Sequence, residues 1–166
     1  MLVSVVIPTY NRLPILKKCL DSLENQFLID EIHDYEVVIV DDGSTDGTIE
    51  WLENNIEIFP HLRLFEQSHG GPALGRNLGV DNSNGELIVF IDSDLIVDKY
   101  FLASHVNSLT KAWKKNGNRR CFTYGSVINT SNFNNPTSEP FKIQDLSWAY
   151  FATGNVAIDK KVLEKS

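Results

Sequence analysis

Residues 87–97, Leu-Ile-Val-Phe-Ile-Asp-Ser-Asp-Leu-Ile-Val, constrain this chain more than any other stretch. Five apolar residues, mostly β-branched or aromatic, come after the turn signal Asn84-Gly85 and read as a strand buried on both faces. Such a strand lies mid-sheet. Where it stops, Asp92 and Asp94 are released together at the carboxyl edge, the place where open α/β sheets hold ligands. Two carboxylates one residue apart are hard oxygen donors suited to Mg²⁺ or Mn²⁺, and Mg²⁺ usually takes only one or two ligands from protein and the rest from phosphate and water. The plain alternative for an isolated Asp-x-Asp is a solvated turn whose aspartates cap a helix.

The remaining chain supplies partners for that strand. Leu2 to Ile7 is expected to be a strand, with Pro8-Thr9-Tyr10-Asn11 a loop because proline brings no ladder donor. Leu13, Leu16, Leu20, Leu23 and Phe27 recur at helical steps, with Pro14 in the first turn and Lys17 and Lys18 facing outward. Tyr35 to Val40 is a second buried strand, and it too ends in carboxylates, Asp41 and Asp42. Ser44, Thr45 and Asp46 are candidate caps for a helix through Trp51 and Leu52. Capping explains Asp46 better than Asp41 and Asp42, which lie on the strand side of the turn. Leu62 to Phe65 is a short third strand, and the glycine-rich run from His69 to Gly79 enters a helix whose first N–H groups favour anions, with Arg76 one turn in. An exposed surface arginine is the ordinary alternative for Arg76. Leu102, Val106, Leu109 and Trp113 form the stripe of a long amphipathic helix, and His105 beside it reads as structural. Cys121 to Ile128 is expected as a further strand, Asn129 to Pro140 as a long loop, and Val156 to Ile158 as a short strand after Thr153-Gly154-Asn155.

Strands alternating with helices give an α/β domain with a mostly parallel central sheet. The strand ends Pro8-Thr9-Tyr10, Asp41-Asp42 and Asp92-x-Asp94 converge at one edge if their strands are neighbours. Neither the dinucleotide fingerprint after the first strand nor the phosphate-loop motif is present, so an NAD enzyme and a P-loop nucleotidase are not indicated. With 166 residues, 42% of them hydrophobic, a single domain over 1–166 is the default. The net charge of −7 argues against a nucleic-acid surface, since basic residues cluster only at Lys114-Lys115 and Arg119-Arg120. An acidic chain that binds a phosphorylated ligand must also offset repulsion. No apolar run approaches bilayer-spanning length, so no transmembrane segment or leader is expected. Cys19 and Cys121 lack metal-ligand spacing and read as reduced core thiols, which fits a cytoplasmic setting.

Four segments, VSVVIPTYNR, VVIVDDGSTDGT, GGPALGRNLGV and LIVFIDSDLIV, resemble in order and spacing the family 2 glycosyltransferases of GT-A fold. The resemblance covers residues 2–105 well, and TGNVAIDKKVLEKS resembles a later family segment more loosely. It implies a Rossmann-like three-layer α/β/α sandwich. It also implies metal-dependent transfer of a sugar, with inversion, from a nucleotide-diphosphate sugar, most often UDP-linked. The acceptor would be a saccharide or lipid-linked hydroxyl in polysaccharide biosynthesis, with the protein in the cytoplasm or peripheral at the inner face of a membrane.

On that resemblance Pro8, Thr9 and Tyr10 would line the base pocket and Asp42 would hydrogen-bond the base. Arg76 would approach the base or phosphates, and Asp92 would reach the ribose. Asp94, with Asp92 beside it, would ligate the Mn²⁺ or Mg²⁺ that bridges the diphosphate. Inversion requires a general base, which family members carry in an acidic motif beyond the Gly-Asn segment. Here that base is expected beyond Ser166, in a domain incomplete at its C-terminus; Asp145 and Asp159 are the nearest carboxylates and sit in no such motif. Trp148 and Tyr150 are expected in the core rather than stacked on a sugar. Two other readings are a non-catalytic nucleotide-sugar-binding fragment and a Mg²⁺-dependent phosphatase of haloacid-dehalogenase type, whose opening motif VFIDSDL resembles. That motif normally closes a first strand, and here it closes about the fourth.

Overall fold

The computed structural model describes residues 1–127, 130, 132, 134, 135 and 154–164. In chain order the elements are β1 (Leu2–Thr9), α1 (Leu13–Leu23), β2 (Asp34–Asp41), α2 (Thr48–Asn55), β3 (Leu62–Glu66) and α3 (Pro72–Asp81). They continue with β4 (Leu87–Ile91), α4 (Phe101–Asn116), β5 (Phe122–Tyr124), β6 (Asn155–Asp159) and α5 (Lys160–Leu163). The strands form one six-stranded sheet in the order β3-β2-β1-β4-β6-β5. β3, β2, β1 and β4 run parallel, while β6 is antiparallel to β4 and β5 to β6. Every residue of β4 is buried, and the strand lies between β1 and β6 as its unbroken apolar run requires.

Alternation along the strands divides the core between two faces. Val3, Val5, Ile7, Val37, Ile39, Val89 and Ile91 pack with Leu16 and Leu20 of α1, Leu52 of α2 and Leu102, Val106 and Leu109 of α4. Burying each of those leucines contributes roughly 1.5–3 kcal/mol. Val6, Val38, Val40, Ile88 and Phe90 face the other way, against Leu78 and Val80 of α3 and Val162 and Leu163 of α5. The product is a three-layer α/β/α sandwich.

At the amino edge of the sheet a buried carboxylate ties the layers together. Glu36 Oε1 accepts from Ser4 Oγ at 2.5 Å and from Asn84 N at 2.6 Å. Its Oε2 accepts from Arg63 Nη1 at 2.8 Å and Asn84 Nδ2 at 3.0 Å. Ser4 Oγ in turn accepts from Gly85 N at 2.8 Å. The turn that launches β4 is thereby fixed to β1 and β2.

Three local expectations are corrected. β1 does not stop before Pro8; Pro8 and Thr9 pair in register with Val40 and Asp41. Thr9 O accepts from Asp42 N at 2.9 Å, so the ladder's alternation turns Pro8 toward β4, whose pairing with β1 already ends at Val6 and Phe90. No donor is missed there. Phe27 does not extend the α1 stripe, because α1 ends at Leu23 and Phe27 N donates to Lys99 O at 2.7 Å, leaving its ring exposed edge-on to Tyr100. β5 is only Phe122–Tyr124, so Cys121 precedes it. Ile128, Asn129, Asp145, Trp148, Tyr150, Phe151 and Thr153 lie outside the described residues, as does most of the expected loop between Asn129 and Pro140. No helix among the described residues is long and apolar enough to cross a membrane.

Candidate functional site

Because β1 lies between β2 and β4, the strand ends carrying Tyr10, Asp41-Asp42 and Asp92-x-Asp94 meet at one carboxyl edge of the sheet. The loops above that edge are stitched to one another. Asn11, at φ 50°, accepts from Thr45 N through Oδ1 at 2.7 Å and donates its own N–H to Ser44 Oγ at 2.8 Å. Asp46 does more than the single cap expected of it: Oδ2 accepts from Leu13 N at 3.0 Å, and Oδ1 accepts from Thr48 Oγ1 at 2.5 Å. One carboxylate thus serves the starts of α1 and α2. Asp41 is buried and accepts from Ser44 N at 2.7 Å, while its Oδ2 has no hydrogen-bond partner among the described residues.

Asp42 is 3% exposed and surrounded by donors. Oδ1 accepts from Gln67 Nε2 at 2.6 Å and Gly70 N at 2.8 Å, and Oδ2 from Gly71 N at 2.9 Å. His69 Nδ1 is also 2.9 Å from Oδ2. Burial pushes the Asp42 carboxyl up, but the bonds from Gln67, Gly70 and Gly71 and the nearby His69 outweigh it and hold the group below the usual carboxylate range. Gly71 has φ +91°, a conformation suited to glycine, and so turns its N–H toward the carboxylate at the entrance to α3. Tyr10 is partly exposed and stacks on His69 with centroids 4.2 Å apart and planes 30° apart. Pro8 and Thr9 are buried beneath it, and Thr9 Oγ1 has no hydrogen-bond partner among the described residues.

Arg76 reaches back from α3 to Asp92, its Nη2 2.5 Å from Oδ1. Asp94 pairs with Arg12, the residue that opens α1. The Asp92 carboxylate also lies against Gly154, where a Cβ would come within 2.7 Å of Oδ2. Beside the two aspartates a cavity of about 1000 Å³ opens between α4, β5 and the start of β6, with Tyr100, Ser104, His105, Tyr124 and Asn155 on its walls. His105 fits its structural reading: Nδ1 is 2.8 Å from Thr123 Oγ1 and Nε2 2.9 Å from Asn155 Oδ1, and burial lowers its pKa.

No group of three or more metal-ligating side chains occurs among the described residues. Asp92 and Asp94 nevertheless open on one cavity and offer only hard oxygen donors, a set that fits Mg²⁺ or Mn²⁺ when phosphate and water complete the shell. Asp159 lies elsewhere. It pairs in register with Leu87, at the amino end of β4, about 16 Å along the strand from Asp92, and it binds Arg119 and caps α5. The residues that sequence reasoning passed over are Asn11, Arg12, Gln67 and His69. Each sits in a loop whose path, rather than its composition, brings it to the site.

The glycosyl transferase family 2 model matches residues 4–166 of this chain. The poly(ribitol-phosphate) beta-glucosyltransferase of Bacillus spizizenii is 40% identical over 96 residues, which are 57% of this chain and 15% of that protein. Among solved structures, S. aureus TarS 1-349 in complex with UDP-GlcNAc aligns with a TM-score of 0.58 at 32% identity, covering 67% of this chain and 32% of that one. Mannosyltransferase PcManGT from Pyrobaculum calidifontis, in complex with GDP-Man and Mn²⁺, aligns with a TM-score of 0.66 at 28% identity, covering 98% and 46%. This chain therefore spans less than half the length of each of these relatives. The layered, mostly parallel sheet is that of GT-A glycosyltransferase structures, and the family match does not favour the phosphatase reading. With almost every residue matched, the chain belongs to glycosyl transferase family 2.

Proposed function

We propose that residues 1–166 form a single GT-A nucleotide-sugar-binding domain of an inverting glycosyltransferase, with a UDP-linked sugar as donor and a saccharide or lipid-linked hydroxyl as acceptor. The observation that carries this reading is the meeting of Tyr10, Asp42, Arg76, Asp92 and Asp94 at one carboxyl edge of β1, β2 and β4. Pro8, Thr9 and Tyr10 would line the base pocket, Asp42 would read the base, and Asp92 would reach the ribose. Arg76, already beside Asp92, would meet the diphosphate. The named ligands of TarS and PcManGT, UDP-GlcNAc and GDP-Man with Mn²⁺, support a nucleotide-sugar donor and a divalent ion, and the TarS complex supports the uridine form.

Charge explains the need for the ion. A diphosphate brings about two negative charges, and each charge pair 4–5 Å from a carboxylate repels by roughly 3–4 kcal/mol at an effective dielectric near 20. Mn²⁺ or Mg²⁺ held by Asp94 and Asp92 would offset that repulsion and, as a Lewis acid, ease departure of the diphosphate. Arg76 and Arg12 stand next to those carboxylates and would orient them. Asp159, on the opposite edge of the sheet, is not positioned to act as the base. The protein would work in the cytoplasm or at the inner face of a membrane.

Titration calorimetry of the chain with UDP, once with Mn²⁺ and once with EDTA, tests the assignment. Binding should weaken at least tenfold in EDTA. Equal affinity in both would reject the role given to Asp94 and Asp92.

A further inference from the structure

The Asp92 carboxylate has its seat on the neighbouring strand. In the antiparallel ladder Ile91 stands opposite Asn155, which puts Gly154 opposite Asp92. Glycine leaves that position without a side chain, and the carboxylate uses the space: Oδ2 lies where a Cβ at Gly154 would approach within 2.7 Å, while Oδ1 accepts from Arg76. The direction of this carboxylate therefore depends on where the start of β6 is held. Asn155 O accepts from Gly125 N at 3.1 Å, and a Cβ at Gly125 would collide with the Asn155 side chain, so β6 starts close against the end of β5. Asn155 Oδ1 is in turn 2.9 Å from Nε2 of His105, a buried residue of α4, the helix that Leu102, Val106 and Leu109 anchor in the core. Asn155 Oδ1 only accepts, so Nε2 carries the proton. Burial keeps the imidazole neutral, and Nδ1 accepts from Thr123 Oγ1 at 2.8 Å.

We propose that His105 is a positioning residue for the nucleotide-diphosphate site: through Asn155 it fixes the start of β6, and with it the Gly154 backbone on which the Asp92 carboxylate rests. This role rests on Asp92 serving the nucleotide-sugar site. The Arg76 bond fixes one oxygen of Asp92 but leaves the carboxylate free to swing about that contact. A carboxylate on a loose seat must be ordered when the ligand arrives, and that ordering lowers affinity; a seat fixed from the core side avoids the loss. The two imidazole nitrogens differ in this respect. Nε2 lies on the route to Asp92, whereas the Nδ1 bond ties α4 to β5 and contributes to stability alone.

The test is titration calorimetry of UDP with Mn²⁺ against the full chain and its variants, with the urea midpoint of each measured alongside. His105→Gln places an amide N–H near the position of Nε2 and keeps the bond to Asn155. His105→Asn places its amide near the position of Nδ1 and loses that bond, and Thr123→Val removes only the bond to Nδ1. His105→Asn should bind UDP about tenfold more weakly than the wild type, while His105→Gln and Thr123→Val should match the wild type even though all three are less stable. Asn155→Ala removes the acceptor instead and should show the same loss, so the role stays testable should His105→Asn fail to fold. Equal affinities across the set, or losses that follow the urea midpoints rather than the bond to Asn155, would reduce His105 to a core residue and leave the proposed function standing. If the wild type does not bind UDP with Mn²⁺, the reading of the site falls and this role with it.

Discussion

A buried carboxylate is tolerable only when donors surround it, and Glu36 shows what that does to pH dependence. Burial alone would raise its pKa, but the bonds from Ser4, Asn84 and Arg63 outweigh burial and set it below the ordinary value. A folded pKa below the unfolded one, near 4.3, means the stabilisation is fully present above that value and is lost as pH falls through the folded pKa. Glu36→Gln should therefore cost about 1–3 kcal/mol at pH 7, because its amide must face Arg63 or Asn84 donors, and the cost should shrink below pH ~4. Urea unfolding of both proteins at several pH values measures this, and a cost that is flat from pH 7 to 3 would contradict it. Asp42 and Asp46 are also held low, so the difference between the two proteins, not the acid limb of either, isolates Glu36. By contrast, Arg12 and Asp94 are 52% and 38% exposed, and such a pair contributes little. Asp42, Arg76, Asp92 and Asp94 were legible in the sequence because each stands at a strand end or a glycine-rich helix entrance. Arg12 and His69 were not, because a loop's path in space leaves no period to read.

At the scale of elements, the first four strands could be read from their apolar runs, whereas the strand expected over 121–128 was placed but its length was not. It is a three-residue edge strand with Phe122 and Tyr124 exposed, too short to show alternation. Glycines in the run to Gly79 permit close backbone approach, but which element α3 would sit on could not be foreseen from Gly75 and Gly79. The structure gives the reason for both. A Cβ at Gly75 would come 3.2 Å from Pro8 Cβ, and one at Gly79 would collide with Val6 Cγ1, so α3 rides directly on β1. That seating holds the α3 entrance, with Gly70, Gly71 and Arg76, over the carboxyl edge. The sign of one substitution tests it. In an open helix Gly→Ala gains about 0.5–1 kcal/mol from propensity alone. Here overpacking against a strand costs roughly 1–3 kcal/mol. Gly79→Ala should lower Tm by about 2–12 °C. A rise in Tm would show that α3 stands off from the sheet.

For the whole molecule, the charge of −7 means that, under the proposed function, a bound cation would offset repulsion of a diphosphate globally as well as locally. The two ends of the sheet divide the work: Glu36 and Asp159 lie at the amino edge, bonded into the fold, while Asp92 and Asp94 face a cavity at the other. A ligand that binds only the folded chain at that cavity must raise its melting temperature. At one hundred times its dissociation constant it stabilises by about 2.7 kcal/mol. For a domain of this size each kcal/mol moves Tm by roughly 2–4 °C, so UDP with Mn²⁺ should raise it by about 5–11 °C. UMP should do less, since it lacks the second phosphate, and EDTA should remove most of the shift. A generic phosphomonoester with Mg²⁺ should leave Tm unchanged, because nothing in it engages Tyr10 and Asp42. A shift for the phosphomonoester as large as that for UDP would mean that the cleft recognises phosphate alone, and the assignment of β1 and β2 to base recognition would have to be abandoned.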